Sequence, residues 1–192
     1  MEFTKGKLLA IIVVVIILIS VLGFGIWWML TYNKMVDENE AITSNWAEVT
    51  NQYQRKFDLI PQLMNLTDTY MSWEAGTLEN ITAMRTEWAE ALANDDMNGM
   101  MNASNQFDVA SDIIINAVQE NYPNLDSDTI LLGLMDNIAG TENTITVARM
   151  NYNEAVQVYN AHIKKFPAVW VANSGDFEEM PYYESPNAPA AP

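Results

Sequence analysis

From Leu8 to Leu30 the chain carries 23 residues without a charge, rich in Ile, Val and Leu. As a helix this stretch would be about 34 Å long, against a hydrocarbon core of roughly 30 Å. Trp27, Trp28 and Tyr32 gather at its end, where amphipathic rings sit at the headgroup level, and are the expected membrane-interface residues. A cleaved signal peptide would have an apolar region of about 7–15 residues closed by a small-x-small site. This stretch is longer and no Ala-x-Ala follows it, so an uncleaved single-pass anchor is expected. Lys5 and Lys7 precede the anchor, whereas Lys34 follows it beside Asp37, Glu38 and Glu40. The lysine count favours a cytoplasmic N-terminus and an extracytoplasmic acidic domain.

Beyond the anchor the apolar positions take a helical period. Ile42, Trp46, Val49, Tyr53, Ile60, Leu63 and Tyr70 follow steps of three and four, with Lys56 and Thr67 in the slots between. The spacing predicts a first helix from about Thr31 to Trp73. No Gly or Pro stands between Gly25 and Pro61, so the membrane helix could run directly into it. A second run follows Glu74, with Leu78, Ile81, Trp88 and Leu92 on one face and Arg85 in the same stripe. Asn94 to Gly99 breaks it with turn chemistry. These residues do not make a calcium loop, which begins with Asp and carries Glu at its twelfth position; here Asn94 and Asn105 stand there.

A third run, Met100 to Asn121, places Phe107, Ala110, Ile114 and Val118 on one side, and Pro123 stops it. Asp126, Ser127 and Asp128 are N-cap candidates for the last helix. Its stripe reads Leu131, Leu134, Ile138, Thr141, Ile145, Ala148, Tyr152, Ala155, Tyr159, His162, Phe166, ending at Pro167. From Asn173 the composition shifts to Gly, Pro, Asp, Glu and Ala, with Phe177, Tyr182 and Tyr183 interspersed. That predicts an extended tail, disordered after Ser185. The fold class is therefore all-α: an N-terminal transmembrane helix followed by a long antiparallel helical bundle of three to four helices. The simplest order is up-down-up with a broken middle helix, its first and last helices parallel; a compact four-helix bundle is the alternative. The expected divisions are a flank 1–7, the transmembrane helix 8–30, the bundle 31–172 and an acidic, Pro/Ala-rich tail 173–192.

One segment resists the amphipathic pattern. Gln54-Arg55-Lys56-Phe57-Asp58-Leu59-Ile60-Pro61-Gln62 puts three charges and a proline in mid-helix. With parallel first and last helices, Arg149 falls at the height of Arg55 and Asp58. The expected structural charge cluster is Arg55, Asp58, Glu142 and Arg149, with Asn153 and Asn160 nearby, since a partly buried ion needs a partner. Pro61 removes a backbone hydrogen bond and is the expected helix kink. A solvated charged face is the simpler alternative.

Composition narrows the chemistry. Nine Lys plus Arg against 25 Asp plus Glu give a net charge of −16, which points away from nucleic acid and from electrostatic docking on anionic lipid. There is no cysteine and one histidine, His162, so thiolate sites and the two-histidine di-iron pattern of helical bundles are excluded. No Gly-x-Ser-x-Gly elbow is present. No catalytic residues, metal site or cofactor are expected. Three Asn-x-Ser/Thr sequences, at Asn65, Asn80 and Asn102, lie on predicted helices and are set aside as glycosylation acceptors.

The segment Gln54 to Leu63 resembles the signature of the LemA family of bacterial and archaeal membrane-anchored helical proteins. Further matches follow in the family's order: Glu74 with Thr77-Leu78-Glu79 and Arg85, Tyr122-Pro123-Asn124-Leu125, Gly140 to Asn160, and Phe166-Pro167. The anchor with Tyr32-Asn33 is also similar. Lys56, Gln62, Trp73 and Thr144 depart from it, standing where the family usually has arginine, asparagine, histidine and a basic residue. The resemblance implies an anchored antiparallel bundle without established enzymatic activity. It also implies membrane organisation, because a relative takes part in forming magnetosome membranes. Within the family an extracellular N-terminus has been proposed, against the lysine count. The function expected is a non-catalytic, membrane-anchored scaffold that self-associates. Its partners would be the lipid bilayer and further copies of the chain. The alternative is an adaptor that binds a membrane protein, such as a protease or envelope regulator.

Overall fold

The computed structural model describes residues 5–68, 71–121 and 128–184. Among them are five helices: α1 Lys5–Thr67, α2 Ala75–Ala93, α3 Met97–Asn121, α4 Thr129–Lys164 and α5 Ala168–Ser174. The expected class, an all-α antiparallel bundle behind a long apolar helix, is what the structure has. Tyr70, the Tyr122–Leu125 motif with Pro123, the cap candidates Asp126 and Ser127, and the tail from Ser185 onward lie outside the described residues.

Helix ends follow local chemistry. α1 continues unbroken from the apolar stretch through Pro61 and stops at Thr67, not Trp73. The Trp73 indole donates back to the Met64 carbonyl at 3.1 Å and to Thr67 Oγ1 at 3.2 Å, satisfying a terminal carbonyl of α1. α3 begins at Met97, three residues earlier than its apolar run suggests. Asp96 Oδ1 accepts the Gly99 amide at 2.9 Å as an N-cap, and Asp95 supplies the left-handed turn at φ 54°. A side chain at Gly99 would collide with Asp96. Of the candidates before α4, Asp128 caps it, accepting the amides of Ile130 and Leu131 at 3.0 and 3.1 Å.

The chain divides into two compact units, Met1–Ile42 with Ala155–Met180, and Thr43–Glu154 with Pro181–Pro192. Both α1 and α4 contribute to each unit. Residues 174–180 fall in the first of these units and residues 181–184 in the second.

In the Thr43–Glu154 unit, α2 and α3 lie side by side, and Phe57 of α1 meets both, with ring centroids 5.4 Å from Trp88 and 4.0 Å from Phe107. Trp46 packs on Tyr152 whereas Lys56 reaches Glu142, so α1 and α4 run in opposite directions here. The expected parallel pairing is corrected: inside this unit the order is that of the compact four-helix alternative. The reason is the α2–α3 turn, which folds the middle run back on itself and adds one reversal. The core holds the α1 stripe from Trp46 to Thr67, with Ile81, Trp88, Phe107, Ile114, Leu131, Ile138 and Ile145.

In the other unit, Met35 and Thr31 of α1 are buried together with Tyr159, Ile163, Ala168, Val171 and Ala172. The ring of Tyr32 meets Phe177 at 5.2 Å, and Gly175 is so close that a Cβ there would fall 2.7 Å from Phe177 and 3.0 Å from Tyr32. The Asn160 side chain holds both backbone groups of Met180, donating to its carbonyl at 2.8 Å and accepting its amide at 2.9 Å. His162 Nδ1 lies 2.6 Å from Glu38 Oε2.

Candidate functional site: a buried ion-pair network

The helical period that buries Tyr53 and Ile60 also buries Lys56, which is 3% exposed. An ammonium placed there needs a carboxylate from another helix. α3 supplies it: Lys56 Nζ donates to Asp108 Oδ1 at 2.9 Å and lies 3.2 Å from Glu142 Oε1 of α4. The second oxygen of Asp108 accepts the Tyr53 hydroxyl at 2.8 Å and pairs with the Arg149 guanidinium. Two cations thus face two carboxylates, with Asp108 as the hub.

Arg149 is also held by aromatic faces. Its guanidinium carbon lies 4.3 Å over the Tyr183 ring and 5.2 Å from that of Tyr53, a cation–π arrangement. It donates to the Tyr183 hydroxyl at 3.1 Å, and that hydroxyl donates to Tyr53 at 3.0 Å. Tyr183 comes from the tail. Asn153 fixes its backbone in both directions, at 3.0 and 2.8 Å. Tyr152 donates to the Pro181 carbonyl at 2.8 Å, and Asn105 to that of Glu184 at 2.9 Å. Helix side chains therefore take the place of a neighbouring strand for this extended segment.

Burial governs the protonation energetics. It pushes the Asp108 carboxyl above its ordinary range, with the attraction of Lys56 opposing it. It pulls Arg149 below the usual guanidinium value, against the pull of Tyr183. The Tyr183 phenol is pushed up to about 12, and Tyr152 is raised by the same cause. Within the cluster, Arg149 Nε and Glu142 Oε1 are buried without a protein hydrogen bond, the latter held by its ionic contact with Lys56.

The structure brings together Glu142 and Arg149 of the expected cluster, but through Lys56 and Asp108. Arg55 is exposed, and Asp58 pairs with Arg85 of α2 at 2.8 Å, both about half exposed. Asp58 and Arg149 therefore belong to separate sites, because the antiparallel register sets Lys56 opposite Glu142. Pro61 sits inside α1, and Gln62 donates to the Asp58 carbonyl at 3.0 Å. Trp27 and Trp28 cluster with Phe24, with centroids 5.6 and 5.8 Å away. Among the described residues, no group of three or more His, Asp or Glu side chains is placed to hold a metal ion. The Asp58–Arg85 pair is expected to contribute little: Asp58→Asn with Arg85→Gln should shift unfolding by less than about 0.5 kcal/mol in a denaturant titration, as exposed pairs do.

These features define a membrane-associated helical-bundle protein, with one N-terminal helix long and apolar enough to cross a membrane. The chain belongs to the LemA family, which it matches over residues 45–192. It is also similar to Magnetosome protein MamQ 1 and Magnetosome protein MamQ 2 of Paramagnetospirillum magneticum. Each is 25% identical over 201 residues, covering 93% of this chain and 74% of the relative.

Proposed function

We propose that the protein is a non-catalytic, membrane-anchored scaffold that self-associates and takes part in membrane or envelope organisation. The observation that carries this reading is the closure of the interior charges on one another. Lys56, Asp108, Glu142 and Arg149 are occupied in joining α1, α3 and α4, so they serve architecture. Self-association is supported by exposed apolar residues on the same unit, Val109 and Ile113 of α3 and Val147 and Met150 of α4. In a chain of net charge −16, exposed apolar side chains are where a second acidic copy meets least repulsion. The similarity to two magnetosome proteins supports a role in membrane organisation.

Sizing of the full chain in mild detergent tests this. An oligomer is expected, dissociated by Val147→Lys with Met150→Lys; a monomer at every concentration counts against the reading. Crosslinking in intact cells addresses the adaptor alternative. A dominant heterologous partner without self-crosslinks would replace the scaffold.

A further inference from the structure

Phe166 is 74% exposed and Trp170 52% exposed, and their rings meet edge to face at 4.9 Å. Large aromatic side chains set outward as a pair have a cause other than the core, which in this unit is filled by Ala168, Val171 and Ala172 from the opposite side of α5. Their position along α1 identifies that cause. Tyr32 contacts Phe177 and crowds Gly175, just past the end of α5, and Thr31 and Met35 are buried in the same unit. Met35 is only five residues beyond Leu30, the last residue of the uncharged stretch, or about 8 Å along a helix. The headgroup layer on each side of a bilayer is itself roughly 5–7 Å deep. A helix packed at Thr31–Met35 therefore lies against that layer.

We infer that the Phe166–Trp170 pair is a second, interfacial contact with the bilayer, seated in the headgroup layer of zwitterionic lipid. Rings with an apolar body suit this layer, and the indole N–H finds acceptors there. Anionic lipid is not the ligand. Beyond the apolar stretch, Lys34, Lys164 and Lys165 of this unit are outnumbered by carboxylates that include Asp176, Glu178 and Glu179, and Lys164 is already paired with Glu179 at 2.7 Å. The contact rests on reading Leu8–Leu30 as the membrane anchor, and it makes α5 the collar of that anchor.

The test compares the full chain carrying Trp27→Phe and Trp28→Phe with the same chain also carrying Trp170→Phe, in phosphatidylcholine nanodiscs. The difference in emission belongs to Trp170. A nitroxide on the lipid headgroup should remove most of that emission, aqueous iodide should remove little, and adding phosphatidylserine should change neither. Strong iodide quenching, or protection from both quenchers, would overturn the contact. Failure of the protein to enter the nanodiscs would overturn the anchor as well, so the two failures are distinguishable. Circular dichroism confirms that the variants keep their helices.

Discussion

Replacing Asp108 by alanine is expected to destabilise the protein by about 3–5 kcal/mol, the cost of leaving a buried charge without a counter-ion. Lys56 would lose its 2.9 Å partner and Arg149 its carboxylate, and Tyr53 an acceptor. Glu142 stays 3.2 Å from Lys56 and keeps it paired, so the cation left without a carboxylate is Arg149. The expected loss is larger than the worth of the ion pairs themselves, since much of it is desolvation of the orphaned guanidinium. That distinction can be measured. A chain carrying Lys56→Leu, Asp108→Leu, Glu142→Met and Arg149→Met removes all four charges of the cluster and should recover most of the lost stability, as apolar replacements of similar volume often do. Guanidinium unfolding of the detergent-solubilised protein, followed by far-ultraviolet circular dichroism, reads both. A shift below about 1 kcal/mol for Asp108→Ala would show that the cluster is screened by water, as surface pairs are.

Much of this architecture was legible in the chain, and the errors have physical origins. The α1 stripe placed Lys56 and Thr67 inside, where they are 3% and 0% exposed. Parallel first and last helices would instead direct the search for partners to Arg55 and Asp58, and the antiparallel register removes that pairing. Heptad spacing fixes which face a helix buries, but it does not say whether a polar break is a kink or a reversal. The six residues from Asn94 to Gly99 are compatible with both, and Asp96 capping α3 makes it a reversal. Asp108 has no periodic signature, because it flanks the stripe of Ser104, Phe107, Ser111 and Ile114 instead of standing in it. The available signal was the lysine: a stripe that contains an ammonium requires a carboxylate beside another helix's stripe. The period places Phe166 in the α4 stripe, but α4 ends at Lys164, so the period no longer applies there. The tail escaped for a different reason. An extended segment held by Tyr152, Asn153 and Asn105 has no period of its own, and its Gly and Pro content reads as loop.

Tyr183→Ala should cost about 3–5 kcal/mol, the range for deleting a large buried aromatic side chain, although the residue lies in a segment whose composition suggests a dispensable tail. Tyr183 is 4% exposed, stacks on Tyr53 with planes 9° apart, and covers Arg149. Tyr183→Phe keeps the ring and loses the hydroxyl, so it should cost only about 1 kcal/mol at neutral pH. The hydroxyl then gives the tail an alkaline signature. Below pH 10, phenols are protonated in both folded and unfolded chains, and the native stability is fully present. Between about 10 and about 12 the unfolded chain releases the Tyr183 proton while the folded chain retains it. Stability therefore falls as pH rises through this window, by roughly 2–3 kcal/mol at its upper end. Arg149, lowered by burial against the pull of Tyr183, acts in the opposite sense, so the comparison of wild type with Tyr183→Phe reads the coupled Tyr183–Arg149 pair. Tyr152 adds to the fall in both proteins, because its hydroxyl is likewise raised by burial. Unfolding titrations at about pH 9 and about pH 11, with tyrosinate absorbance read in parallel, should show a shallower alkaline loss in Tyr183→Phe. An equally steep loss in both would mean that the tail leaves the bundle before its tyrosine ionises.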